Sequence, residues 1–437
     1  MRANARHAGD GMEQGSSGRK AQAGRSGASM GDGMERAGSG AGQPGASVGR
    51  ARETPLLEIE NLQVSYPSVG GLVRAVRGVS FSVATGQTCA LVGESGCGKS
   101  VSAKAVMGLV RTPGRIEPSS TIRFAGTDVL GFSERQWCDF RGRDCALIFQ
   151  DALASLNPTM RVGHQLVEAL DNHCPELSAA EKRRRAIETL RLTEIPDPEA
   201  CMRRYPHELS GGMRQRVMIA SAMVARPRLL IADEPTTSLD VTVQQQTLRL
   251  MGDLQRQFGT AVLLITHDLG IVADVADRVV VMYAGRIVEQ GPRDEIFYRP
   301  AHPYTEALLA SVPRLDAPAK QGLRAIEGAL PDPTSEPAGC AFCERCPHAM
   351  RICAQQMPAT VEIGIETTAD SAKGGTREVT CWLHDPRYLA ATGVSAEHLP
   401  RVVAAPQPSC AGGNPPRPGK QATQVGAGNP RATKEGR

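Results

Sequence analysis

The sequence predicts an open α/β fold with a mostly parallel sheet, and three observations carry that prediction. Leu229-Leu230-Ile231-Ala232 and Ala261-Val262-Leu263-Leu264-Ile265 are short, continuous apolar runs. Strands covered on both faces read this way, because neither face alternates with water. Segments of helical pattern near residues 212–225 and 241–257 precede and separate them. A further run, Cys89-Ala90-Leu91-Val92, feeds a glycine-rich turn and then a helix expected over Lys99 to Leu109.

The remaining elements come in chain order. Residues 1–54 are Gly, Ser, Ala and Arg with almost no bulky apolar side chain, so they bury too little surface to offset ordering and are expected to be a disordered tail. Met12, Met30 and Met34 leave a later translation start open. From Leu56, the apolar positions Leu57, Ile59, Leu62 and Val64 suggest short strands with one buried face, an N-terminal antiparallel β subdomain. A mostly helical insertion runs from about 152 to 225 and includes Ala179–Leu192, whose Lys182-Arg183-Arg184-Arg185 run reads as a solvated face. Val279–Tyr283 and Arg286–Glu289, joined by Ala284-Gly285, form a closing hairpin. The expected organisation is a main α/β domain over 55–300, an extension over 301–390, and a largely disordered tail over 391–437.

Composition narrows the function classes. The 437 residues have room for two or three domains, and a hydrophobic fraction of 41% supports a substantial core. The net charge of +4 sits in the tails, with about +3 over 1–55 and about +5 over 401–437, leaving about −4 between them. That distribution argues against a folded basic groove for nucleic acid. No apolar run approaches the roughly 20 residues that span a bilayer, and the N-terminus lacks the apolar core of a signal peptide. A soluble, cytoplasmic chain is expected, one that would reach a membrane by docking on other proteins' helices. Of the 12 cysteines, Cys89, Cys97, Cys138, Cys145, Cys174 and Cys201 are scattered and read as small buried or surface thiols. Cys340, Cys343, Cys346 and Cys353 crowd together, with Cys381 further on, which in a reducing compartment suggests metal more than disulfides.

The motifs carry the chemistry. Gly93, Glu94, Ser95, Gly96, Cys97, Gly98, Lys99 and Ser100 match G-x-x-x-x-G-K-[ST] between a strand and a helix. The glycines let backbone N–H groups wrap a β-phosphate, Lys99 reaches the β- and γ-phosphates, and the Ser100 hydroxyl suits Mg²⁺. At the end of the 229–232 run, Asp233 is placed for the Mg²⁺ shell and Glu234 for orienting or deprotonating the attacking water. Leu209-Ser210-Gly211-Gly212-Met213-Arg214-Gln215 precedes a helix and, by chemistry alone, reads as an N-cap with a flexible approach.

With that last segment the chain resembles the ABC transporter ATPases, P-loop NTPases in which this stretch is the signature. The resemblance implies that Ser210, Gly211 and Gly212 cap the γ-phosphate bound by a second cassette, in a head-to-tail dimer closing on two ATP molecules. It further implies a Mg²⁺- and water-sensing role for Gln150, a γ-phosphate contact for His267 and a coupling loop through Ser238 and Asp240. Tyr66 would stack on adenine, although an aromatic at a strand end also reads as packing. Lys99, Asp233, Glu234 and His267 are all intact, so hydrolysis is expected as well as binding.

Phe149-Gln-Asp-Ala-Leu-Ala-Ser-Leu-Asn-Pro158, Arg204-Tyr-Pro-His-Glu208, Thr236-Thr-Ser-Leu-Asp-Val-Thr-Val243, Tyr283-Ala-Gly-Arg-Ile-Val-Glu-Gln-Gly291 and His302-Pro-Tyr304 narrow the resemblance to the dipeptide/oligopeptide importer ATPases, over roughly 56–388. This narrower resemblance implies a chain peripheral to the cytoplasmic face of the inner membrane. It implies as partners a second ATPase subunit (paralogue or self), two transmembrane permeases and, indirectly, an extracytoplasmic solute-binding protein. In the same family pattern Cys340, Cys346, Cys353 and Cys381 are associated with a [4Fe–4S] cluster; four thiolates would equally satisfy Zn²⁺, or remain free, and Cys343 is additional to the pattern. Nickel, glutathione or another small solute are alternative cargoes. A soluble ABC ATPase of translation or DNA repair would usually carry two cassettes or long coiled coils, which this chain lacks.

Overall fold

The computed structural model describes residues 55–149, 155–236, 240–312, 325–364 and 377–392. The tail expected over 1–54 lies outside these residues, as does the one expected over 391–437 apart from Ala391 and Thr392, which end the helix Pro386–Thr392. Thirteen strands are described: β1 (Leu57–Ser68), β2 (Gly71–Val83), β3 (Thr88–Val92), β4 (Arg115–Ile116), β5 (Thr121–Phe124), β6 (Thr127–Asp128), β7 (Cys145–Ile148), β8 (Leu229–Asp233), β9 (Ala261–Thr266), β10 (Arg278–Tyr283), β11 (Arg286–Pro292), β12 (Val361–Ile363) and β13 (Arg377–Val379). One sheet runs β2-β1-β5-β6, with β4 also on β1; the other runs β12-β13-β11-β10-β3-β9-β8-β7. In the second sheet β10, β3, β9, β8 and β7 are parallel, and every residue of β3 and β9 is buried. That burial is why these strands read as bare apolar runs.

The antiparallel sheet departs from expectation in strand length. Leu57–Ser68 is one long strand rather than several short ones, paired with Gly71–Val83. The apolar spacing explains it. Leu57, Ile59, Leu62 and Val64 are all buried, yet the step from Ile59 to Leu62 is odd. A register shift between those two, with Asn61 at φ 49°, absorbs the extra residue and returns Leu62 to the core face.

The helical insertion packs Val162–His173, Ala179–Leu192 and Gly211–Met223 around Leu166, Leu170, Ala186, Leu190, Val217 and Ala220. Ser178 and Glu181 close a capping box that starts Ala179–Leu192. Its basic run is not uniformly solvated. Arg183 and Arg184 are exposed, whereas Lys182 is buried with its Nζ 2.8 Å from Asp171 Oδ1. The neighbouring helix Val162–His173 supplies that carboxylate, which a sequence run cannot display.

The first core helix spans Lys99–Val106 and stops short of Leu109, because Gly108 turns left-handed at φ 60° against the Trp137 ring. At the other edge β11 runs on to Pro292 and accepts β13 and then β12 as antiparallel neighbours, so the extension lengthens the main sheet. Among the described residues no helix is long and apolar enough to cross a membrane.

Candidate nucleotide site

The turn after β3 is built by close backbone approaches. A Cβ on Gly93 (φ 150°) would lie 2.2 Å from the Met282 carbonyl oxygen, and one on Gly98 (φ 104°) 2.3 Å from that of Ala75. Only glycine fits either position. Between them Ser95 and Gly96 form an exposed crest, while Cys97 is buried. Gly98 leads into Lys99–Val106 without a side-chain cap, and no acidic residue occupies the first helical turn. The helix therefore presents unsatisfied N–H groups, which is what an anion requires. Lys99 is buried, its Nζ donating to the carbonyls of Gly93 at 2.8 Å and Glu94 at 2.9 Å.

The acidic residues arrive from the end of β8, with β9 between it and β3. Ser100 Oγ donates to Asp233 Oδ1 at 2.9 Å. Burial holds the Asp233 carboxyl above its ordinary range, against the lowering effect of that hydrogen bond. The parallel register sets Asp233 beside Ile265, so Glu234 and His267 emerge together from the ends of β8 and β9. Glu234 sits at φ 48°, held by its N–H donating to the Ile265 carbonyl at 2.9 Å, and its Oε1 lies 3.2 Å from His267 Nδ1. Hydroxyl and carboxylate oxygens are the hard donors Mg²⁺ takes, so Ser100 and Asp233 fit that ion by chemistry.

Ser210 caps Gly211–Met223, accepting from the Met213 N–H at 3.3 Å. Ser210 and Gly211 are exposed, and a Cβ on Gly211 would meet nothing. Gln215 inside the same helix is buried and donates to the Pro235 carbonyl, tying the helix to the acidic pair. Asp240 accepts from the Thr242 and Val243 N–H groups, capping Val241–Phe258. The Tyr66 ring is partly buried against Gly114, and burial raises its phenol. Gln150 and Ser238 lie outside the described residues.

Comparison with known proteins identifies the family. Residues 76–237 match the ABC transporter family model, and residues 288–353 match the model for the oligopeptide/dipeptide transporter C-terminal region. The oligopeptide transport ATP-binding protein OppD of Bacillus subtilis is 49% identical over 335 residues, 77% of this chain and 90% of that protein. The dipeptide transport ATP-binding protein DppD of the same organism is 47% identical over 332 residues, 76% and 96% of the two chains. OppD of Salmonella typhimurium is 49% identical over 303 residues, 69% and 89%. The chain belongs to the oligopeptide/dipeptide transport ATP-binding proteins.

This ABC ATPase carries its cysteine cluster in the extension, and the fold gathers it. Cys340, Cys343, Cys346, Cys353 and Cys381 line one small cavity with His302, His348, Phe342, Met350 and Trp382. Burial and the thiols' mutual proximity push Cys340 and Cys346 up to about 11 and Cys381 to about 12. Among the described residues no group of three or more His, Cys, Asp or Glu is arranged to hold a metal ion. The iron–sulfur and zinc expectations therefore find no support in this geometry.

Two contacts at the phosphate loop of this ABC ATPase have no signal in the residue order. The Glu94 N–H donates to Tyr304 Oη at 2.9 Å, and the Glu94 carboxylate pairs with Arg345. Tyr304 belongs to a recognisable motif, but Arg345 is hidden between two more conspicuous cysteines. Nothing in spacing links either residue to a loop more than 200 positions earlier.

Proposed function

We propose that this chain binds and hydrolyses ATP to energise import of dipeptides or oligopeptides through partner permeases. The observation that carries the chemistry is the convergence of Lys99, Ser100, Asp233, Glu234 and His267 at the ends of three adjacent parallel strands. Ligands sit at the carboxyl ends of strands in such sheets, where helix N-termini and loop backbone face the same space. The peptide cargo is supported by the names of the relatives and by the extension they share.

In this reading the uncapped helix start and the backbone between Gly93 and Ser100 receive the phosphates, and Lys99 exchanges its two carbonyl partners for β- and γ-oxygens. Ser100 and Asp233 would hold Mg²⁺, which neutralises charge developing between the phosphates. Glu234 orients the attacking water and accepts its proton, with His267 beside it to meet the γ-phosphate. The helix start at Ser210, Gly211 and Gly212, exposed at the first two, supports donation to ATP held by a second cassette. Gln150, Asp240 and Tyr66 keep their proposed sensing, coupling and adenine-stacking roles. No metal at the cysteine cavity enters the reading.

The partners are a second ATPase subunit and two transmembrane permeases, with the chain peripheral to the cytoplasmic face of the membrane. Labelled-dipeptide uptake in cells carrying the parent chain or Glu234→Gln, with nickel uptake alongside, tests it. Loss of peptide uptake with nickel untouched is expected. Loss of nickel uptake alone would move the cargo to metal, and no change in either would remove the import reading.

A further inference from the structure

The cysteine loop of the extension reaches directly into the phosphate loop. Arg345 lies in the turn Cys343–Arg345, immediately before Cys346. Its guanidinium meets the Glu94 carboxylate in a two-pronged pair, Nη1 to Oε2 at 2.8 Å and Nη2 to Oε1 at 2.9 Å. The side chain is only 6% exposed, and Glu94 23%. The rest of the fork is used as well: Nε donates to the Glu327 carbonyl at 2.9 Å, Nη2 to that of Ile326 at 3.0 Å, and Nη1 to Tyr283 Oη at 3.2 Å. The guanidinium also lies over the rings of Tyr283 and Phe342. A bidentate pair fixes both direction and distance, so Arg345 specifies where Glu94 stands rather than merely attracting it.

Glu94 is held at three points, two of them from the extension. Arg345 takes the carboxylate and Tyr304 Oη accepts from the N–H; the carbonyl accepts from Lys99 Nζ at 2.9 Å. The Glu94 peptide therefore links the extension to the lysine that must swing onto phosphate, with the carboxylate as its handle.

We propose that Arg345 is a positioning residue for ATP binding: from the cysteine loop it fixes Glu94, and through Glu94 the start of the phosphate loop and the resting place of Lys99. ATP affinity then depends on the extension being docked, and a change that moved the cysteine loop would be felt at the nucleotide. This inference rests on the chain being an ATPase.

The test uses the full chain and a fluorescent ATP analogue, with Glu94→Gln, Arg345→Met, the double variant, and Lys99→Ala as a binding-deficient control. Each single variant is expected to weaken ATP binding about tenfold, within the usual range for a coupling between two sites, with kcat at saturating ATP within about threefold of the parent. The double variant is expected to bind no more weakly than either single one, because both remove the same link. Should Arg345→Met fail to fold, Glu94→Gln carries the test, being isosteric and partly exposed. Parental affinity in the single variants, even with a lowered melting temperature, would reduce the pair to a structural tie and overturn the inference. Additive losses would overturn it too. A parent chain that bound no more ATP than Lys99→Ala would overturn the ATPase reading along with this one; a binding parent with unaffected variants overturns this one alone.

Discussion

The phosphate-loop end of the sheet and the extension at its far edge handle charge in opposite ways. At the first, Lys99 rests on carbonyls, the helix after it has no cap, and His267 is 59% exposed beside Glu234. At the second, Glu289 and Arg377 are both buried and joined at 2.9 Å, and Glu289 also accepts from the N–H groups of Ala301 and His302 at 2.9 and 3.0 Å. His302 is buried there too and kept neutral. One region keeps charge available for a ligand; the other consumes it internally to hold chain segments together. Substitutions in the two should therefore separate function from stability.

The largest effect is expected for Glu234→Gln. Removing the carboxylate that serves the attacking water should lower ATP hydrolysis by about 10²–10⁴-fold, the usual span for general-base loss. ATP binding should persist and the melting temperature should barely move, since Glu234 lies at the ligand-facing end. A matching collapse of stability would erase the distinction between the regions.

Arg377→Met is the converse. Stripping one partner from a buried pair leaves the Glu289 carboxylate uncompensated, at a cost of about 3–5 kcal/mol. Chemical denaturation should detect that loss, while ATP binding by the surviving folded fraction stays close to the parent's. Replacing Glu289 and Arg377 together by apolar residues should recover little of it, because the Ala301 and His302 N–H groups and the Glu295 carboxylate then lose their partners as well.

A smaller change is expected at Ser210. Ser210→Ala removes the cap on Gly211–Met223, worth about 1 kcal/mol. If Ser210 also serves a second cassette's nucleotide, hydrolysis by the assembled transporter should fall far more than that stability change explains, while the isolated chain's ATP affinity holds. Equal affinity and equal hydrolysis would leave only the capping role.

The subtlest prediction concerns pH. Burial, with a lesser contribution from His384, depresses His302 to about 3. Its Nδ1 accepts from the Tyr304 N–H at 3.0 Å, and its Nε2 has no partner among the described residues. The unfolded chain binds this proton near the ordinary histidine value of about 6.5, the folded chain only near the depressed one. Stability from this group is thus intact above the ordinary value and is lost as pH falls from there toward 3, by about 1.4 kcal/mol per pH unit. His302→Asn, which can still cap the Tyr304 N–H, should flatten that slope by up to one proton in denaturation measured across the window.

Much of this was legible in the residue order because the information is local. The runs ending in Val92, Asp233 and Thr266 announce buried parallel strands, since two covered faces demand unbroken apolarity. The glycines at 93 and 98 announce a loop wrapped on an anion, and the helix Ala179–Leu192 is framed by its own capping box. The strand beginning at Leu57 was less legible: its apolar positions suggest several short strands, and only the pairing with β2 shows one strand whose register shift absorbs the odd step from Ile59 to Leu62. What the tertiary structure alone decided is non-local. It set Glu234 against His267 by strand register, turned Lys182 inward to Asp171, and collected five cysteines around one small cavity. It also delivered Arg345 to Glu94. Patterning fixes which face of an element is buried, but which charges then meet depends on the crossing of elements far apart in the chain, and no spacing along the sequence encodes that distance.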